Sequence, residues 1–245
     1  MELYFLAFGL ITGFTSGFFG IGGGSILIPM LLLYGFAMKE AVAISIMQMV
    51  FSSIYGSIIN VKKIKNLLRD GTILGVGASI GGAISGYFLP NVPDIYLQYL
   101  FIASLLYTVY TLFKAPASQE VEKTQKSFII LLIIGIFVGI MAMSIGIGGS
   151  LLLLPILVKF LKYDLKIATA LGLFFVIFSS TAGFISTSIF GNMLYYEGFI
   201  IGVGSLVGVY FGIKIKEKTK ATSYKNYVLL LNVLVLSITI YKTFF

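Results

Sequence analysis

The sequence predicts an all-α, polytopic membrane protein built from two similar halves, and three observations support that prediction. Of the 245 residues, 58% are hydrophobic and only 11% are charged, whereas a soluble domain carries about 25% charged residues. The apolar residues form long, nearly uncharged runs, and the longest exceed the roughly 18 residues that mark a membrane-spanning helix. A glycine-rich motif and a proline recur at one spacing in both halves.

The chain divides into eight apolar segments, at residues 3–34, 41–60, 71–90, 95–113, 128–158, 167–190, 198–213 and 226–245. The longest polar stretch, 114–127, lies near the middle. We therefore predict a first membrane repeat over 1–113, a polar linker over 114–127 and a second membrane repeat over 128–245. The first segment lacks the basic region of a cleaved signal peptide, so we expect it to belong to the mature fold.

The two halves carry the same motifs in the same order. Gly20-Ile21-Gly22-Gly23 recurs 126 positions later as Gly146-Ile147-Gly148-Gly149, and Pro29 recurs as Pro155. One inserted residue then changes the spacing to 127 for the segments that follow. Isolated glycine matches are common in membrane helices, because glycine lets helices pack closely. A spacing that holds through four segments is instead typical of an internal duplication.

The basic residues indicate how the halves are oriented. If all eight segments cross the bilayer, lysine and arginine divide nine to eight between the two sides. If the fifth segment enters and leaves on one side, fifteen gather on one side and only Lys39 and Lys242 remain on the other. The positive-inside rule favours the second arrangement. A continuous helix over 128–158 would also be about 46 Å long, against a hydrocarbon core of about 30 Å.

We therefore predict that the first and fifth segments are broken, re-entrant hairpins. Each half then crosses three times, and an odd number of crossings makes the second repeat an inverted copy of the first. Both termini are expected outside, with the basic linkers inside.

The glycine breaks are the candidate functional site. A helix broken in hydrocarbon leaves N–H and C=O groups unpaired, and it is tolerated only where it is buried or lines a polar cavity. The start of each following half-helix offers free N–H groups and a positive dipole end, which suits an anion. Alternatively, the glycines serve only to let helices pack tightly.

Gln48 is a candidate specificity residue. It has no polar counterpart in the second copy, where Phe175 occupies the equivalent position. The candidate substrate-binding residues are Gly22, Gly23, Gly24, Ser25, Gln48, Ser52, Gly148, Gly149, Ser150 and Ser179.

Several kinds of chemistry are disfavoured by composition. The chain contains no Cys, His or Trp, so disulfides and Cys/His metal sites are excluded. No catalytic triad, HExxH motif or carboxylate pair is present, and we expect neither enzymatic activity nor a cofactor. The net charge of +8 comes from short loops between spans rather than from a nucleic-acid-binding patch. The apolar interiors carry no ionisable residue, and Asp70 and Glu197 are expected to cap helices.

The chain resembles the TauE/SafE family of sulfite exporters, also called the toluene-sulfonate uptake permease family. The resemblance rests on Gly13-Phe14-Thr15-Ser16-Gly17-Phe18-Phe19-Gly20-Ile21-Gly22-Gly23-Gly24 with Pro29, and on Gly146-Ile147-Gly148-Gly149-Ser150 with Pro155. It extends over essentially the whole chain and implies export or uptake of small sulfur-containing anions such as sulfite, sulfonates or sulfoacetate. The second copy departs from the first by carrying Ser150 where Gly24 stands.

The function predicted from these features is secondary transport of a small anion across a bacterial or archaeal plasma membrane, by alternating access. A passive anion channel and a non-transporting membrane scaffold are the alternatives. The expected partners are the small anionic substrate and the lipid bilayer, with protons as one candidate coupling ion and no nucleic acid. The sequence leaves the exact substrate, the transport direction and the oligomeric state open.

Overall fold

The computed structural model describes residues 2–60, 68–114 and 127–244, and the regular structure within these ranges is helical. The α-helices are α1 (Glu2–Phe19), α2 (Gly24–Tyr34), α3 (Met38–Asn60), α4 (Leu68–Phe88), α5 (Asp94–Lys114), α6 (Phe128–Ser144), α7 (Ser150–Pro155), α8 (Leu165–Phe190), α9 (Tyr195–Lys218) and α10 (Ala221–Phe244). A 3₁₀ turn, Leu89–Asn91, follows α4, and a π-helical turn, Ile156–Phe160, extends α7. Most of the polar linker, residues 115–126, lies outside the described residues.

The length and apolarity of these helices make the chain a multi-pass membrane protein. Among the described residues, seven helices are long and apolar enough to cross a bilayer: α1, α3, α4, α5, α8, α9 and α10. Helix α6, at 17 residues, is just shorter than the roughly 18 residues of a spanning helix. The first and fifth apolar segments of the sequence each contain two helices rather than one, α1 with α2 and α6 with α7.

Helix α2 turns back along α1. Tyr34, the last residue of α2, packs its ring 5.8 Å from that of Phe5 and 5.9 Å from that of Phe8, both near the beginning of α1. The reversal occurs between Phe19 and Gly24, where Gly20, Gly22 and Gly23 adopt positive φ. The chain thus leaves this helix pair close to where it entered.

Glycines bring α1 against α9 at backbone contact. A Cβ atom added at Gly9, Gly13 or Gly17 would lie 2.4, 2.0 or 2.3 Å from the carbonyl oxygens of Ile201, Ser205 and Val209 respectively. Residue numbers increase in the same direction along both helices, so the two helices run parallel. Close helix packing through small residues is a common way to associate helices in membranes, where hydrophobic burial gives little driving force.

A second pair of helices, α6 and α4, packs in the same way. A Cβ at Gly135 or Gly139 would lie 2.4 or 2.8 Å from the carbonyl oxygens of Leu74 and Ala78. These helices are also parallel. Each pair joins one helix from residues 1–113 with one from residues 128–245, so the two predicted repeats pack against each other through both pairs.

Side-chain contacts group the helix ends into two sets, here called the first end and the second end. At the first end, Asp94 at the start of α5 accepts a hydrogen bond from the Met38 N–H at the start of α3, and Tyr87 near the end of α4 packs on Phe190 at the end of α8. At the second end, Lys166 near the start of α8 donates to the carbonyl of Thr219, just after α9.

One contact at the second end was not predicted from the sequence. Asp70, expected to cap a helix, lies in the first turn of α4 and accepts a hydrogen bond of 2.6 Å from the Tyr163 hydroxyl. Tyr163 follows the α7 segment, so this bond joins the end of the second broken segment to the beginning of α4. The carboxylate therefore connects two elements 93 residues apart.

Candidate functional site

The two glycine breaks have nearly the same backbone geometry. The φ angles of Gly20, Gly22 and Gly23 are 71°, 78° and 85°, and their counterparts Gly146, Gly148 and Gly149 have 66°, 77° and 88°. Glycine adopts these left-handed conformations without the steric cost that a Cβ atom imposes. Gly23 and Gly149 are the residues that precede α2 and α7, so each break places the N-terminus of a half-helix in the interior.

The two breaks lie directly against each other. A Cβ at Gly24 would be 2.0 Å from the carbonyl oxygen of Gly146, and the Ser45 hydroxyl donates a 2.7 Å hydrogen bond to that oxygen. The corresponding contact involves Gly172, Ser150 and the first break. A Cβ at Gly172 would be 2.8 Å from the Ser150 Cβ and 3.2 Å from the Gly20 carbonyl oxygen.

These contacts explain why the second motif carries Ser150 where the first carries Gly24. Ser45 and Gly172 are equivalent residues, 127 positions apart. The first half contributes Gly24 and Ser45, and the second half contributes Ser150 and Gly172. Each half therefore places one serine and one glycine at the contact, but their order along the chain is reversed. A serine at position 24 would meet the Ser45 Oγ, which lies 2.5 Å from the Cβ position there.

Met49 and Val176 fill the space between the breaks. A Cβ at Gly22 would lie 3.2 Å from the Met49 sulfur and 3.4 Å from a Val176 methyl, and one at Gly148 would lie 2.6 and 3.2 Å from the same groups. Met49 and Val176 are themselves equivalent residues, and both are fully buried. The centre of the site is therefore closed by two apolar side chains, which sequence reasoning had not singled out.

Ser52 and Ser179 hold the two breaks in the same manner. The Ser52 hydroxyl donates to the carbonyl oxygen of Gly22 over 3.3 Å, and the Ser179 hydroxyl donates to that of Gly148 over 3.1 Å. Each serine also bonds the carbonyl three residues earlier in its own helix. Their role in this structure is to satisfy carbonyl groups that the broken helices leave without intrahelical partners.

Gln48 is the most unusual polar residue of the site. Its side chain is fully buried, and neither its amide nitrogen nor its amide oxygen has a hydrogen-bond partner within the described part of the chain. Both atoms lie 3.1 Å from the position of a Cβ on Gly23, beside the N-terminus of α2. Buried amides are almost always hydrogen-bonded, so an unpaired one indicates that a water, ion or ligand belongs there.

The second break lacks this polar neighbour. At the equivalent place, the ring of Phe175 lies 2.4 Å from a Cβ position on Gly149. Ser25 and Ser150, one in the first turn of each half-helix, are both buried, and neither hydroxyl has a partner among the described residues. The breaks are therefore alike in backbone but different in polarity. All ten predicted site residues are buried within or against the two breaks.

Lys216 is a charged residue that sequence reasoning assigned to a loop. It lies in the last turn of α9 and is 2% exposed. Its ammonium donates a 3.1 Å hydrogen bond to the Thr169 hydroxyl. Thr169 in turn packs against Gly20, because a Cβ on Gly20 would lie 2.6 Å from the Thr169 Cβ. Thr169 therefore connects the buried ammonium group of Lys216 to the first break, on the side of the break that faces the second end. Its position within a run of lysines gave no sequence signal for burial.

The helices, their glycine-mediated contacts and the interior breaks define a multi-pass membrane protein with broken helices, as found in transporters. Residues 5–239 match the family model described as Sulfite exporter TauE/SafE. The chain belongs to the TauE/SafE family of membrane transporters, which is not a class of enzymes.

Curated relatives agree with this assignment. The probable membrane transporter protein YunE of Bacillus subtilis is 24% identical over 245 aligned positions, covering 86% of this chain and 88% of that protein. A probable membrane transporter protein of Haemophilus influenzae is 25% identical, with 84% and 81% covered. One from Methanocaldococcus jannaschii is 50% identical, but over 54 residues and 22% of this chain. No solved structure shows a significant match.

Proposed function

We propose that the chain is a secondary transporter of small anions, with sulfur-containing anions such as sulfite or a sulfonate as its substrate class. The substrate site lies at the two breaks, at the N-terminus of α2. The N–H groups of the first turn of a helix have no intrahelical partners, and the helix dipole favours negative charge there. The description of the family as sulfite exporters supports sulfur-containing anions as the substrate.

The observation that carries this proposal is the unpaired Gln48 amide. A fully buried amide without a partner costs about 1–3 kcal/mol, and an anion beside Gly23 would satisfy its N–H₂ group. The Ser25 hydroxyl, which has no partner among the described residues, and the N–H groups of Gly24 and Ser25 would complete the coordination. The next N–H group, that of Ile26, already donates to the Gly23 carbonyl. No lysine or arginine is needed in this arrangement, although Lys216 contributes positive charge near Gly20.

We further propose that the two repeats are inverted copies in the membrane, with both termini outside. Three features support this: α2 returns to the beginning of α1, Tyr163 lies beside the beginning of α4, and the glycine-paired helices α1 and α9 run parallel. With both broken segments folded back, ten of the fifteen basic residues predicted for the inner side fall at the second end of the bundle, and the other five lie outside the described residues. Inverted repeats whose broken helices meet near the midplane are a recurrent basis of alternating access.

The closed centre favours a transporter over a passive channel. Met49 and Val176 contact both breaks and leave no continuous polar lining between them. A solute can pass only if these side chains and the breaks move, which is the behaviour of an alternating-access carrier. Protons are one candidate for the coupling ion.

The decisive experiment replaces Gln48. Purified protein is reconstituted into proteoliposomes, and uptake of sulfite, a sulfonate, thiosulfate and acetate is measured with and without a pH gradient. Gln48→Leu should raise the KM for the transported anion about ten- to hundred-fold, because it removes one hydrogen bond to a charged group. Its melting temperature should equal or exceed that of the wild type, since the amide is unpaired in the unliganded protein.

Asn232→Leu serves as the matched control. Asn232 is also a buried amide within a helix, but its side chain donates a 2.7 Å bond to the Val228 carbonyl in α10. This variant should leave the KM unchanged. An unchanged KM in Gln48→Leu would place the anion site elsewhere, and a large loss of thermal stability in that variant would show that Gln48 is a structural residue.

A further inference from the structure

A cavity of about 370 Å³ opens at the first end of the bundle, between the beginning of α3 and the end of α8. Its walls include Lys39 and Ala43 of α3, Thr187 and Phe190 of α8, and Asn192 of the following loop. Lys39 donates a 2.8 Å hydrogen bond to the Pro90 carbonyl and lies 3.9 Å from Asp94. The carboxylate of Asp94 and that of Glu40, which also lines the cavity, offset the lysine charge, so this mouth does not itself select anions.

Thr187 marks the inner wall of this cavity. The residue is 2% exposed, and its hydroxyl has no hydrogen-bond partner among the described residues. A buried hydroxyl on the wall of a cavity this large has room for water to satisfy it. Thr187 therefore indicates that water reaches this depth from the first end.

One face of α8 connects the cavity to the glycine breaks. Val176, Ser180, Gly183 and Thr187 are spaced three or four residues apart and so share one side of the helix. They extend over about 17 Å. Val176 contacts both breaks, and Ser180 is fully buried with an unpartnered hydroxyl. Between the breaks and the cavity the face thus carries two unsatisfied hydroxyls and Gly183. The buried Met143 side chain packs on Gly183, since a Cβ there would lie 2.9 Å from its sulfur, so a solute passes this point only when Met143 moves.

The equivalent face of α3 extends in the opposite direction. Met49, Ser53, Gly56 and Asn60 precede the α8 residues by 127 positions each. Met49 contacts both breaks, and Ser53 is fully buried with an unpartnered hydroxyl in the described structure. Asn60 lies at the second end, and the residues that follow it, 61–67, lie outside the described residues.

We propose that these two faces line the two halves of the solute path: Ser180, Gly183 and Thr187 from the outer mouth to the breaks, and Ser53, Gly56 and Asn60 from the breaks to the inner side. The proposed path presupposes the transport function proposed above and gives the route that the solute takes. The two faces meet at the breaks, where the side chains of Met49 and Val176 separate the two halves of the path. The outer half is open to the cavity at Thr187 in this structure.

Single cysteines test the path without requiring transport, and the natural chain has no cysteine to interfere. Thr187→Cys and Ser180→Cys are exposed in right-side-out membrane vesicles to sulfonatoethyl methanethiosulfonate, a small impermeant thiol reagent. Ser186→Cys is the matched control, because Ser186 is similarly buried but bonds the Ala83 carbonyl and packs on α4. Ser53→Cys is compared in right-side-out and inside-out vesicles.

Thr187→Cys should react about tenfold faster than Ser186→Cys or more, because a cysteine packed against a neighbouring helix reacts only when the structure opens locally. Ser180→Cys, which is deeper, should react more slowly than Thr187→Cys but from the same side. Ser53→Cys should react only in inside-out vesicles. Reaction of Thr187→Cys no faster than the control, or of Ser53→Cys from outside, would overturn the path. Because labelling needs no substrate, this result is separate from the uptake assay of the Gln48 variants.

Discussion

At the scale of single residues, the two breaks combine symmetric backbones with asymmetric side chains. Corresponding glycines agree within about 5° in φ, because the same left-handed turns are needed in both copies. The neighbouring side chains differ: Gln48 faces Gly23, whereas Phe175 faces Gly149. This difference in polarity supports the proposal that a single small anion is held at the first break.

Replacing Gly23 or Gly149 with valine should abolish transport. A Cβ at Gly23 would lie 2.8 Å from the Thr12 carbonyl oxygen, and valine also disfavours a φ of 85°. Ser52→Ala and Ser179→Ala should impair transport far less, since each removes only one side-chain donor from a break carbonyl, at a cost of about 1–3 kcal/mol. Anion uptake into proteoliposomes, normalised to folded protein, gives the comparison.

Gly35→Val is the control for backbone strain alone. Gly35 has a φ of 111°, but no other atom lies within 4 Å of a Cβ there. If Gly23→Val and Gly149→Val fold and transport like the wild type, the breaks serve only for packing.

At the scale of elements, the broken segments depend on contacts beyond their own sequence. Helix α2 is positioned by the aromatic rings around Tyr34, and the segment after α7 is positioned by Tyr163 and Asp70. Burial raises the pKa of Tyr163 above its usual value, and its hydrogen bond to Asp70 raises that pKa further. The neutral phenol is therefore the form that the folded protein favours.

Tyr163→Phe should lower stability by about 1–3 kcal/mol, because it leaves the buried Asp70 carboxylate without this partner. A raised folded-state pKa means that the contribution is fully present below the unfolded value of 10.0 and is lost only as the pH rises towards the folded value. The difference in melting temperature between the variant and the wild type should therefore be the same at pH 6 and pH 9.

The exposed Tyr107 provides a control, since Tyr107→Phe should not alter the melting temperature. Equal melting of Tyr163→Phe and the wild type would contradict the structural role of the hydrogen bond. A difference that changes between pH 6 and pH 9 would contradict the assignment of a neutral phenol.

At the scale of the whole molecule, the two halves of the chain pack together through parallel glycine-lined helix pairs, α1 with α9 and α4 with α6. Because each half packs on the other, neither half is expected to be stable alone. This packing also sets which helix ends lie together, and therefore which loops face which side of the membrane.

Labelling of single cysteines in intact cells should report the topology. Cysteines at Asn91 and Asn192 are expected to react with an impermeant thiol reagent, because they lie at the first end, which we propose to be outside. Those at Lys162 and Ser223, at the second end, should be protected, as should one at Ser118, which lies outside the described residues. Labelling of position 162 from outside would refute the re-entrant fifth segment.

Much of this architecture could be predicted from the sequence, because its determinants are local or periodic. Long uncharged runs allow few structures other than membrane helices. The duplication expected from the recurring motifs and the orientation expected from the basic residues stay predictions. The positions of the glycine breaks were also predictable, since a 31-residue apolar run is too long for one helix across about 30 Å of hydrocarbon.

Only the tertiary structure decided which side chains meet. The pairing of Ser45 with Gly146, the placement of Met49 and Val176 between the breaks, and the burial of Lys216 all join residues far apart in the chain. Periodicity and hydropathy describe one helix at a time, and they carry no information about which helix faces which. The isolation of the Gln48 amide is likewise a property of the packed interior, because the absence of a partner depends on every helix around it.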